Sequence, residues 1–102
     1  MTTFTRNYSN DPTLAMSGQI TVTTAGTAVQ GTDVDSENGF FIRALAGNTG
    51  VVYVGQDGDD DVASTNGYEL SAGDTIFVTV DNLSYLYFDA ATNGDKFCWI
   101  KG

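Results

Sequence analysis

The second half of the chain is a train of short alternating strands joined by polar turns, and that pattern limits the fold more than any other feature. Residues 50–55 (GVVYVG) lead to 64–70 (STNGYEL), then to 72–84 (AGDTIFVTVDNLS) and 85–95 (YLYFDAATNGD). Successive side chains on a strand point to opposite faces, so a period of two over a few residues marks a half-buried strand. The same signal occurs earlier. Gln19–Thr24 sets Ile20 and Val22 against Thr21 and Thr23, Ala25-Gly26 reads as a turn, and Thr27–Gln30 as a short following strand. Residues 31–38 are polar and acidic, hence a loop.

Gly39–Ala46 sets Phe40, Ile42 and Ala44 against Phe41, Arg43 and Leu45. Both faces are partly apolar, as expected of a central strand whose outer face is covered. Gly47–Gly50 is a turn. Val51–Gly55 places Val52 and Val54 opposite Val51 and Tyr53. Thr75–Val80 places Ile76, Val78 and Val80 inward, or Phe77 in the other register. Ser84–Phe88 and Lys96–Lys101 complete the set. Seven to eight short strands with turns between them, and no amphipathic helical period, predict an all-β fold: an antiparallel β-sandwich or a small barrel. Residues 81–83 have room for one helical turn at most.

Residues 1–17 follow neither period: Phe4, Tyr8, Leu14 and Met16 are spaced irregularly among polar residues. Two readings stay open, a loosely ordered terminus and an arm that docks its aromatic residues on a neighbouring subunit. The chain therefore divides into an N-terminal arm at 1–17 and a β-sandwich domain at 18–102. With 102 residues, a single core is the natural expectation, burying roughly 60–70% of the unfolded surface.

Four basic residues face thirteen acids, for a formal net charge of -9. Phosphate binding needs clustered Lys and Arg, and no cluster is present, which argues against nucleic acid and anionic membranes as partners. The acidity serves solubility or matches a basic partner surface. The amino terminus lacks the apolar stretch of a signal peptide, and no run approaches the roughly 20 apolar residues that span a bilayer. A soluble protein made in a reducing cytoplasm is expected. Cys98 cannot form an intrachain disulfide, because it is the single cysteine; within Phe97-Cys98-Trp99-Ile100 it reads as a small buried hydrophobe.

Few groups offer chemistry. His is absent, which excludes Ser-His-Asp triads, and one Cys does not make a zinc site. No Gly motif leads into a helix to cradle phosphate. No enzyme activity and no cofactor are expected. Asp57, Asp59 and Asp61 stand at alternate positions, a weak calcium candidate, but the EF-hand template wants Gly and Glu where Val62 and Tyr68 stand; a solvated loop is the plainer reading. Asp81, Asp89 and Asp95 flank apolar strands beside Asn or Gly and read as turn residues bonding nearby backbone N–H groups. The aromatic residues remain. Alternation puts Tyr85 and Tyr87, with Asp89, on one face and Leu86 and Phe88 on the other. The tyrosines serve as sheet cover, as a protein interface or as a sugar-stacking platform.

Several segments taken together resemble small structural proteins of tailed bacteriophages. They are Ile20–Gln30, Asn48-Thr49-Gly50 with Val52–Gly55, Ser64–Tyr68, and most of all Asp81–Ser84 through Leu86-Tyr87 to Asp89–Asp95 and Trp99-Ile100. The resemblance covers about residues 19 to 101; residues 31–38 and Asp57–Asp61 depart from it, and the arm lies outside it. It implies a jelly-roll-like sandwich and a capsid cement or decoration protein. Such a protein stabilises the shell by contacts with the major capsid protein and with itself as a homotrimer. It would be located in the virion and assembled in the host bacterial cytoplasm. Phe4 and Tyr8 would anchor the arm, and Tyr85 and Tyr87 would form an interface. The alternative is a tail or fibre module binding host-surface carbohydrate through its tyrosines and Trp99.

Overall fold

Alternation of apolar and polar side chains gives each strand one face that must leave water, and two sheets satisfy this by stacking those faces. The computed structural model describes residues 16–56 and 66–102. Eight strands lie there: β1 Ser17–Thr21, β2 Val29–Gln30, β3 Phe40–Ala44, β4 Val52–Gly55, β5 Tyr68–Leu70, β6 Thr75–Val78, β7 Tyr87–Ala90 and β8 Lys96–Lys101. They form two four-stranded antiparallel sheets, ordered β1-β8-β3-β6 and β2-β7-β4-β5. The pairs β1·β8, β2·β7, β3·β6 and β4·β5 are nested one inside the next, as in a single long hairpin rolled up on itself. The all-β sandwich expected from the alternation is the fold observed.

The core lies between the sheets. Phe40, Ile42 and Ala44 of β3, Phe97 and Trp99 of β8, and Ile20 of β1 face Val52 and Val54 of β4, Phe88 and Ala90 of β7, and Leu70 of β5. The rings of Phe88 and Phe97, one from each sheet, meet at 4.6 Å. Trp99 packs edge-on to Phe40 at 5.8 Å. Its ring fills the space over Gly18, where an added Cβ would come within 2.9 Å of the indole. A side chain at residue 18 would displace the tryptophan, so the edge strand keeps a glycine there. Gly39 has φ +94°, and a Cβ there would run into the Val78 carbonyl; the entry to β3 requires a residue without one.

Strand ends differ from the sequence expectation in ways that have local causes. The segment expected as a strand from Ser84 begins instead with a 3-10 turn at Leu83–Tyr85. Asn82 caps this turn, its Oδ1 accepting from Ser84 N at 2.9 Å, as short polar side chains do at helix starts. Tyr85 therefore lies in the turn and does not share a strand face with Tyr87. β1 starts at Ser17, so the arm expected at 1–17 gives its last residue to the sheet. Phe4 and Tyr8 lie outside the described residues.

Candidate functional site

The two outer faces of the sandwich are built from the residues that alternation leaves pointing away from the core. On the β2-β7-β4-β5 sheet these are Tyr53, Asp89, Tyr87 and Glu69, with Tyr53 paired to Asp89. Tyr53 and Asp89 are only 7% and 6% exposed. The β1–β2 connection reaches over this side: Asp89 Oδ1 accepts from Gly26 N at 2.9 Å and from Ala90 N at 2.8 Å. Asp95 is likewise buried and accepts from Thr49 N and Gly50 N at 3.0 and 2.9 Å. Both aspartates were expected to bond nearby backbone, but their partners other than Ala90 are distant in sequence. Asp89 ties β7 to the β1–β2 connection and Asp95 ties the β7–β8 connection to the β3–β4 connection, which no local pattern reveals.

The outer face of the β1-β8-β3-β6 sheet is different. One row across it is Ser17, Ile100, Phe41, Phe77, and the next is Gln19, Cys98, Arg43, Thr75. Phe41, Phe77 and Ile100 are 44–47% exposed. The rings of the directly paired Phe41 and Phe77 meet at 4.7 Å, the kind of cross-strand aromatic contact that sheets favour. A hollow of about 370 Å³ spans all four strands, lined by Ser17, Gln19, Phe41, Arg43, Cys98 and Ile100 among others. The outer face of β3 was expected to be covered; among the described residues it is open. Cys98, expected as a core residue, points outward and is half-buried on this face.

Charge follows the same division. The four strands of this sheet, SGQIT, KFCWIK, FFIRA and TIFV, carry Arg43, Lys96 and Lys101 and no acid. Asp33, Asp35 and Asp81 are exposed in two connections at one end of the sandwich. Those connections pair with each other: Leu83 N donates to Val34 O, Ser36 N donates to Asp81 O, and Asp35 forms a bridge with Asn82. The Asn82 amide nitrogen donates to Oδ1 of both Asp33 and Asp35 at 2.8 Å, holding the two carboxylates together. Tyr85, 53% exposed, stands in the same loop pair.

The residues expected to form a site are thus distributed. Tyr85 is exposed in a turn, Tyr87 is half-buried on the covered sheet, and the two do not make a common face. Trp99 is 5% exposed and is not available to stack on a sugar. Its Nε1 is buried without a hydrogen-bond partner among the described residues, at an expected cost of about 1–3 kcal/mol. Asp57, Asp59 and Asp61 lie outside the described residues. Among the described residues no group of three or more Cys, Asp or Glu side chains is placed to hold a metal ion, and no helix is long and apolar enough to cross a membrane. Phe41, Phe77 and Ile100 were not singled out as interface residues, although apolar side chains on both faces of β3 were the available signal. Comparison with family models, with curated proteins and with solved structures finds no match to this chain.

Proposed function

We propose that this chain is a virion structural protein of a tailed bacteriophage, a cement or decoration protein that binds the assembled shell and itself. What supports the reading is the resemblance of residues 19 to 101 to such proteins, together with a sandwich that, among the described residues, presents an apolar sheet face to solvent. The observation that carries it is the row Phe41, Phe77 and Ile100 on that face. Contiguous exposed apolar side chains on a folded domain mark surfaces that meet other molecules. The nested strand pairing supports a jelly-roll arrangement, the form that the resemblance implies.

The mechanism is one of contact. A small sandwich seated across a junction between shell subunits engages several at once, and modest contacts add by multivalency. Self-association as a trimer multiplies the effect. The direct test mixes the purified protein with shells from which decoration has been removed, then counts bound copies and measures shell disruption on heating. Saturable binding spread over the whole shell, with a raised disruption temperature, is expected. Binding of a few copies at one vertex would place the protein in the tail. Glycan binding without shell binding would favour the carbohydrate module.

A further inference from the structure

We propose that the outer face of the β1-β8-β3-β6 sheet is the seat for a second copy of this chain, which presents to it the acidic loop pair around Asp33, Asp35, Asp81 and Tyr85. The inference rests on the self-association in the reading above and not on its virion setting. Three observations carry it. Among the described residues the face is apolar and open, with Phe41, Phe77 and Ile100 exposed on it and Phe41 and Ile100 lining a hollow of about 370 Å³. It is cationic in a chain whose formal net charge is -9: Arg43 and Lys96 are exposed on it and its strands hold no acid. The same chain displays, elsewhere, a surface of opposite character. Asp33 and Asp35 are clamped side by side by Asn82, Asp81 precedes Asn82 and accepts through its carbonyl from Ser36 N, and an exposed tyrosine completes the set.

Charge complementarity selects the geometry as well as the partner. If two copies packed this face against itself, Arg43 and Lys96 would gather beside their own counterparts, and like charges across an interface are disfavoured. Face against acidic loops pairs opposite charges and offers an aromatic side chain to an apolar hollow. Tyrosine in a desolvated hollow beside arginine is the combination that concentrates binding energy at protein interfaces. Two different patches make the contact heterologous, and repeated contacts of that kind close into a ring when the rotation allows. A trimer is one such ring.

The test is sedimentation of the full chain over a wide concentration range, at low and at high salt. Self-association that weakens as salt rises is expected, because the charged pairs are screened. Arg43→Glu weakens it by at least about tenfold, the scale of a lost charge pair, and Asp35→Lys does the same. Circular dichroism and thermal melting of each variant check that the fold is kept. Ile100→Thr tests the apolar part without a charge change. The deciding experiment mixes the two charge variants. The Asp35→Lys chain keeps a working face and the Arg43→Glu chain keeps working loops. The mixture therefore associates through that intact pair of patches, while each variant alone remains monomeric. A wild-type chain that stays monomeric at every concentration overturns the inference and leaves the face to some other partner. Association unchanged by Arg43→Glu and Ile100→Thr overturns it, as does a mixture that fails to pair. A chain that self-associates in this way but leaves shells bare keeps the inference and removes the virion reading; a monomer that decorates shells does the reverse.

Discussion

The outer sides of β3 and β4 carry the same kind of sequence and meet opposite fates. Both strands are apolar on both faces, FFIRA and VYVG. Tyr53, pointing out from β4, is 7% exposed, whereas Phe41, pointing out from β3, is 44% exposed. On the first side the chain turns back over its own sheet, with Gly26 N donating to the buried Asp89. On the second no described segment does so. A strand that is apolar on both faces announces that both faces are to be covered. It does not say whether the cover comes from the same chain. Here one sheet is covered intramolecularly, and the other, among the described residues, presents an aromatic pair and the exposed cations Arg43 and Lys96.

Mutational energies test this contrast. The interior shared by both sheets sets the upper mark: Phe88→Ala leaves a cavity opposite Phe97 and is expected to cost about 4 kcal/mol, read by urea denaturation. Tyr53→Ala should follow closely, at about 3 kcal/mol, because an outward residue that is fully covered behaves as core. Asp89→Ala removes the acceptor of Gly26 N and Ala90 N, and the same denaturation assay should show a loss of about 2 kcal/mol. Asp89→Asn, which keeps an oxygen in place, should lose less. Phe41→Ala is expected to be the mildest, within about 1 kcal/mol at concentrations where the chain is monomeric. If Phe41→Ala proved as costly as Tyr53→Ala, the contrast between the two faces would be broken. If its cost rose with protein concentration, the contrast would be sharpened, because the missing cover would then be a second molecule.

Much of the fold was legible because β-structure writes its inward face into every second residue. Phe40, Ile42 and Ala44 were read as one face and are one buried face; Lys96–Lys101 was bounded correctly at both ends. Reading failed where a local cap overrode alternation. Asn82 turns the chain at Leu83–Tyr85, so Tyr85 leaves the strand that the pattern Tyr85, Leu86, Tyr87, Phe88 suggested. It failed again for Cys98, whose apolar neighbours Phe97 and Trp99 point the other way from it. The candidate site was less legible than the fold. Tyr85 and Tyr87 were noted as aromatic, but the apolar row of Phe41, Phe77 and Ile100 joins three strands distant in sequence.

Alternation along the chain determined by itself that this protein is built of short β-strands, because the period of two is a local property of each strand. It also sorted the side chains of each strand into two faces, such as Phe40, Ile42 and Ala44 against Phe41 and Arg43. Only the tertiary structure decided which strands lie side by side, that Asp89 and Asp95 hold backbone N–H groups of connections distant in sequence, and that among the described residues one outer face is covered while the other is open. Those outcomes depend on contacts between residues tens of positions apart, and no short window of sequence contains both partners.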